Sequence, residues 1–292
     1  MVLLRFSSQW IKKLCVLAVA SACLGMLTLP ALAGVSLQVQ PARCEFMVAP
    51  GRPYTSGVTV SNDSPVELRL VATVADWTLD AQGGMATLPG GDASTARWVR
   101  FNPREFRLGP GKSQVVRFTV TAPPGASPGE HRSAIFFRAT GDPPKGAEIE
   151  AVVTFAVAVP LYANVPVIKR TAKLDPLVVN YTADKGLQIE TKITGTGNAH
   201  FRFNPVFEVR DMSGRIAAAG SLDRVIVLPG QTVTARGNWQ GVLPPGVYAV
   251  EAKFKFEAPL YTRGLLFEYD YEDQKGKSAL TASASFTVAA KE

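Results

Sequence analysis

The sequence predicts an all-β chain folded as two β-sandwiches, and three observations predict it. Apolar residues recur at every second position in many short runs, the period of a strand rather than a helix. Clusters of Pro, Gly, Asn and Asp separate these runs at short intervals. A stretch centred on Pro166, residues 164–173, divides the runs into two groups of similar style. With 47% hydrophobic and 19% charged residues, the chain can fill two cores and is not of the disordered class.

Residues 1–33 read as a secretory signal. Arg5, Lys12 and Lys13 make a basic start, residues 14–29 are apolar, and Ala31-Leu32-Ala33 is a small-residue cleavage site. The expected mature start is Gly34, and the expected compartment is the periplasm. The apolar run is short for a membrane span and Pro30 interrupts it. Acylation at Cys23 would need a large aliphatic residue in the preceding Ala20-Ser21-Ala22. Loss of Arg5, Lys12 and Lys13 lowers the formal net charge from +7 to +4. That is too mild for nucleic-acid binding, and no basic run stands out. Cys15 and Cys23 leave with the signal, so Cys44 remains alone as a thiol expected on a buried strand.

In residues 34–165 the strands follow in order. Residues 36–48 alternate through Leu37 and Val39, then Cys44, Phe46 and Val48, with Pro41 as a break. Residues 58–61 end at the turn cluster Asn62-Asp63-Ser64-Pro65. Residues 67–79 form a long strand, and residues 81–94, rich in Gly and small residues, a loop. Strands at 97–101, 114–121 and 131–139 follow, separated by Asn102-Pro103, Leu108-Gly109-Pro110-Gly111 and the turn at 123–129. About seven strands in roughly 130 residues is the density of an immunoglobulin-like sandwich.

The last strand of this half, residues 148–162, is the one with the clearest pattern. Ile149, Ala151, Val153, Phe155, Val157 and Val159 share one face, while Glu148, Glu150, Val152, Thr154, Ala156 and Ala158 share the other. At about 3.3 Å per residue, its twelve residues 148–159 would span roughly 40 Å, about twice the usual strand. Such a strand either lies inside a sandwich or, at an edge, invites pairing with another chain.

Residues 166–292 repeat the style, with strands expected at 177–181, 187–195, 206–211, 215–218, 225–227, 232–235, 246–257 and 280–289. An aromatic and acidic insert at 258–277 interrupts them, carrying Tyr261, Phe267, Tyr269 and Tyr271 beside Glu268, Asp270, Glu272 and Asp273. It reads as a contact surface or as a hairpin packed on its own domain.

Chemistry-bearing motifs are sparse. His131 and His200 stand in different halves without metal-ligand spacing, and no nucleophile elbow, phosphate loop or dinucleotide fingerprint occurs. The chain therefore reads as a non-enzyme with no cofactor, no small-molecule substrate and no nucleic-acid partner.

Several landmarks nonetheless line up. They are Pro41-Ala42-Arg43-Cys44-Glu45-Phe46, Val60 to Pro65, Val74-Ala75-Asp76-Trp77 and Phe106 to Gly111 with the following Val116-Arg117-Phe118. Gly129-Glu130-His131-Arg132 then leads into Ile135-Phe136-Phe137 and the long alternating strand. In order and spacing over about 130 residues, the first half resembles the PapD-like periplasmic chaperones of the chaperone–usher pilus pathway. The resemblance implies two immunoglobulin-like domains set at an angle. It implies ATP-independent chaperoning, in which the last strand of the first domain completes a pilus or fimbrial subunit that lacks one strand. The donor residues would be Ile149, Ala151, Val153, Phe155 and Val157 within 148–160. Arg43 would anchor the subunit's C-terminal carboxylate, and an outer-membrane usher is a possible further partner. Where the family carries an anchoring Lys, this chain has Pro160 before Leu161-Tyr162, and no cation lies between Lys145 and Lys169. The chain reads as a divergent member. The alternative from the residues is a structural or adhesive envelope protein whose long strand is covered in the free state.

Overall fold

The protein is described by a computed structural model covering residues 36–80, 82–91, 94–141, 153–256 and 279–289. The expected signal and the insert at 258–277 lie outside the described residues. The first ten strands are β1 (Leu37–Gln40), β2 (Cys44–Met47), β3 (Pro53–Asn62), β4 (Leu68–Leu79), β5 (Met85–Thr87), β6 (Val99–Asn102), β7 (Glu105–Leu108), β8 (Ser113–Thr121), β9 (Gly129–Gly141) and β10 (Val153–Val165). One sheet runs β1-β3-β8-β6; the other runs β2-β10-β9-β4-β5, with β7 also on β4. These pairings are those of an immunoglobulin-like sandwich. Alternation builds the core between the sheets. Along β8, Val116, Phe118 and Val120 are buried while Arg117 is exposed. Phe46, Leu70, Ile135, Phe137 and Leu161 meet them from the facing sheet.

The turn cluster after β3 is held from within. Asn62 is fully buried; its Nδ2 donates to the carbonyls of Val66 and Leu108, both at 2.8 Å, and its Oδ1 accepts from the Ser64 amide at 2.9 Å. Cys44 is a free, buried thiol whose pKa burial pushes up to about 12.

Several boundaries differ from expectation; β3 begins at Pro53 where a strand from residue 58 was expected, and β7 and the later strands Ala172–Leu174 and Phe201–Phe203 were not expected. The strand expected from residue 97 begins at Val99, because Thr95–Trp98 forms a 3-10 turn. The Asp76 carboxylate accepts from the Thr95 and Ala96 amides at 3.0 and 2.7 Å and holds that turn. The expected loop at 81–94 contains β5, which is held by pairing with Trp77, Thr78 and Leu79. The long strand continues past Tyr162 to Val165.

The second half comprises β11 (Ala172–Leu174), β12 (Val178–Thr182), β13 (Gly186–Gly195), β14 (Phe201–Phe203), β15 (Val206–Asp211), β16 (Ile216–Ser221), β17 (Val225–Val227), β18 (Thr232–Trp239), β19 (Gly246–Lys255) and β20 (Ala279–Val288). β13 pairs with β18 on one side and with β11 and β12 on the other. The facing sheet runs β16-β15-β19-β20, and β14 pairs with β17. Leu187, Ile193, Phe203, Phe207, Val250 and Phe254 fill this second core.

Candidate functional site

The first strand does not stay in one sheet. β1 pairs with β3, the chain crosses over at residues 41–43, and β2 then runs parallel to β10 in the other sheet. That contact covers only Leu161 to Asn164 of β10. On its other side β10 pairs with β9 along its whole length, from Val153↔Gly141 to Val165↔Gly129. The outer edge of β10 from Val153 to Pro160 therefore has no strand partner among the described residues. Pro160 stands where the pairing with β2 begins, in keeping with the confinement of proline to edges.

Of the expected donor residues, Ile149, Ala151 and the side chain of Val153 lie outside the described residues. Phe155 and Val157 are half-buried, with Phe155 packed against the rim of the first core. Val159, further along the same face, is fully buried. The apolar face thus passes from partly covered to core as the edge approaches β2.

Arg43 immediately precedes β2, and the register Leu161↔Cys44 sets it beside Pro160, at the inner end of the open edge. Its Nε donates to Glu45 Oε1 at 2.9 Å, and its side chain is 23% exposed. Glu45 lies on the face of β2 opposite Cys44 and Phe46, turned toward the second domain. There the structure assembles a group that single-residue reasoning missed. His200, in the turn before β14, sets Nδ1 against Glu130 Oε2 and Nε2 3.8 Å from Glu45 Oε1. Arg132 Nη1 donates to Glu130 Oε1 at 3.2 Å. The Tyr162 ring stacks on the His200 ring at 4.0 Å and meets the Trp77 ring edge-on at 5.6 Å. Arg202 Nη2 donates to the Tyr162 hydroxyl at 2.7 Å, and Arg170 Nε donates to the His200 carbonyl at 2.9 Å. These residues run from Glu45 to Arg202, 157 positions apart, so no local spacing betrays them. The one available signal was a Glu in a strand that is otherwise apolar on both neighbours.

Burial pushes the Glu130 carboxyl up, but His200 and Arg132 outweigh it and hold the group below its ordinary range. Burial pushes the Tyr162 phenol up, so it stays neutral. Apolar packing completes the seam: Trp77, Ala134 and Tyr162 of the first domain meet Leu228 of the second. Gln231 Nε2 donates to Thr78 Oγ1 at 3.0 Å and the Leu79 carbonyl at 3.2 Å.

Gly129 opens β9 at the same seam with a φ of 131°. A Cβ there would lie 3.1 Å from the Asn198 carbonyl oxygen, which already accepts from the Glu130 amide at 2.8 Å. Gly129→Ala is expected to combine backbone strain with a shifted 198–200 turn and cost about 1–3 kcal/mol. Urea unfolding of the whole protein would measure it, and an unchanged midpoint would contradict it.

No protein-family model matches the sequence, and no curated protein sequence matches it. Among solved structures, the chain is similar to the class 5 fimbriae chaperone CfaA at 13% identity and a TM-score of 0.42, covering 85% of this chain and 98% of that one. It is similar to the YadV chaperone at 11% identity and a TM-score of 0.43, covering 86% and 99%. A third similar structure is the CsuC–CsuE chaperone–tip subunit pre-assembly complex from archaic Csu pili of Acinetobacter baumannii. It matches at 13% identity and a TM-score of 0.42, covering 76% of this chain and 96% of that one. Among the described residues no group of three or more His, Cys, Asp or Glu is placed to hold a metal ion.

Proposed function

We propose that the protein is an ATP-independent periplasmic chaperone for pilus or fimbrial subunits, acting by donor-strand complementation with residues 148–160. One observation carries the proposal: among the described residues, the outer edge of β10 from Val153 to Pro160 has no strand partner, and it ends beside Arg43. An incoming strand laid along that edge would gain main-chain hydrogen bonds of about 1 kcal/mol each. Its apolar groove would cover Phe155 and Val157. If the strand's C-terminus reaches the β2 junction, its carboxylate arrives at a guanidinium whose Nε is already held and whose terminal amino groups remain for bidentate binding. The free energy comes from strand pairing and apolar burial, so the function calls for no nucleotide. The position of the family's Lys is occupied by Pro160.

Amide hydrogen exchange tests the reading. In the free protein, outward-facing amides in 153–160 should exchange fast. In a complex with a purified subunit they should become protected, while 161–164 should be protected in both. No added protection at 153–160 in the complex would overturn donor-strand use and favour an envelope protein that binds elsewhere. Arg43→Ala is expected to weaken subunit binding by about 2–5 kcal/mol while the melting temperature stays within a few degrees. Normal affinity in the folded variant would remove Arg43 from the anchor.

A further inference from the structure

β20 is an edge strand of the second domain. It pairs with β19 through ten successive residues, from Gly246↔Val288 to Lys255↔Ala279, without a register shift. No strand pairs with its other side among the described residues. β12, on the facing sheet, packs Tyr181 on Phe286 at 6.3 Å but pairs only with β13. Soluble proteins blunt a sheet edge with a Lys, a Pro, a bulge or a short strand. The opposite edge of the same sheet follows that rule. β16 has six residues, includes Gly220, and its register against β15 shifts at Val209/Arg210. β20 has ten residues and none of these devices: no charge, no Pro and no Gly.

The sequence of β20 reads nearly the same in both directions. Ser283 and Ser285 flank Ala284, followed outward by Ala282 and Phe286, Thr281 and Thr287, and Leu280 and Val288. A two-fold axis through Ala284 sets each residue opposite its mirror position on a second, antiparallel copy. Mirror positions differ by an even number, so opposite side chains share a face. On the exposed face, Thr281 of one copy opposes Thr287 of the other, and Ser283 opposes Ser285. On the half-buried face, Leu280 opposes Val288 and Ala282 opposes Phe286. A one-residue slip would turn the apolar row of one copy onto the polar row of the other. The chain makes the same hydroxyl contacts inside its own sheets. Thr55 and Thr119, Ser61 and Ser113, and Thr194 and Thr232 stand directly opposite on antiparallel strands, each pair with its hydroxyl oxygens 2.8 Å apart.

We propose that β20 is a self-association surface: two copies of the chain join by antiparallel pairing of their β20 strands about Ala284. The pairing turns two four-stranded sheets into one continuous sheet. Self-complementarity names the partner. The edge offers a second copy a matching row on each face and no charge to repel it. The contact uses no residue of the first domain, so it stands whatever β10 binds.

The test uses the chain from Gly34 onward. Ala284→Cys places a thiol on the axis, against the same residue of the second copy, within the Cα separation of about 4.4–6.8 Å that a disulfide needs. Thr281→Cys is the control, because the two copies of residue 281 would lie roughly 20 Å apart along the pair. Cys44 is fully buried and does not compete. Under mild oxidation, Ala284→Cys should form a covalent dimer and Thr281→Cys should not. In analytical ultracentrifugation at micromolar concentration, the parent should show twice the mass of one chain. Ser283→Lys combined with Ser285→Lys should return it to the monomer. Both serines are exposed, so at a dilution where the parent is monomeric the two proteins should melt together. If the lysines unfold the domain instead, the contrast between residues 284 and 281 still decides. A parent that stays monomeric throughout the concentration series overturns the proposal. So does a dimer that survives both lysines in a folded protein, or equal cross-linking at 281 and 284.

Discussion

Phe155→Glu is expected to abolish subunit capture in a protein that still folds, whereas Val159→Glu is expected to unfold the first sandwich. The two residues share one face of β10 and are four positions apart. Val159 is fully buried against the core, so a Glu there would bury an unpaired charge and cost several kcal/mol. Phe155 is half-buried at the rim, beside the stretch of edge that has no strand partner among the described residues. Losing roughly half the burial of such a side chain costs about 1–1.5 kcal/mol, and its carboxylate can turn to solvent. Under the donor-strand reading alone Phe155 would be nearly free of its own domain; its packing against the core rim raises the expected cost. For binding the logic reverses. A Glu at 155 would be forced into an apolar groove on the client, which the same desolvation argument forbids. Thermal melts and a pull-down with purified subunit separate the outcomes. A collapse of Phe155→Glu equal to that of Val159→Glu would mean that this whole face is core, and the strand could not be lent.

What the sequence revealed follows from which interactions are local. The two sandwiches were legible because strand periodicity and turn chemistry are written in neighbouring residues, as in Val116-Arg117-Phe118 and Asn62-Asp63-Ser64-Pro65. The Thr95–Trp98 turn was not, because its cap is Asp76, nineteen and twenty positions away on another strand. β5 was read as loop because three residues carry too little pattern and their order comes from pairing with β4. The end of β10 was read at Tyr162, where the alternating pattern stops, while the parallel contact with β2 carries the strand on to Val165. Arg43 was singled out only through resemblance to a family motif, and its anchoring role is a proposal. Glu45, Glu130, His200 and Arg202 were not legible, since each alone looks like an ordinary polar residue. Only the docking of two domains makes them one group.

Glu130→Ala is expected to cost about 3–5 kcal/mol and to loosen the two domains together, because it strips a buried acceptor from three donors at once. The Glu130 side chain is 0% exposed and takes hydrogen bonds from Arg132, from the His200 ring and from the His200 amide at 3.2 Å. Arg132 Nε is already buried without a partner, so removing the carboxylate would leave that guanidinium with no hydrogen-bond acceptor shown for it. The pH dependence carries the same signature. Glu130 titrates below its ordinary value when folded, so the folded state binds its proton less readily than the unfolded chain does. Its contribution is therefore fully present above the unfolded carboxylate value of about 4.3 and is lost as pH falls through the lower folded value. Acid titration of the parent protein, followed by urea midpoints, should show a loss below about pH 4.3 that Glu130→Gln removes. Glu130→Gln itself should cost less than Glu130→Ala, because the amide still accepts one hydrogen bond. If Glu130→Ala melts within a degree of the parent, or if the acid loss is unchanged in Glu130→Gln, the carboxylate does not hold the domains together, and apolar contacts from Trp77, Tyr162 and Leu228 must hold the seam alone.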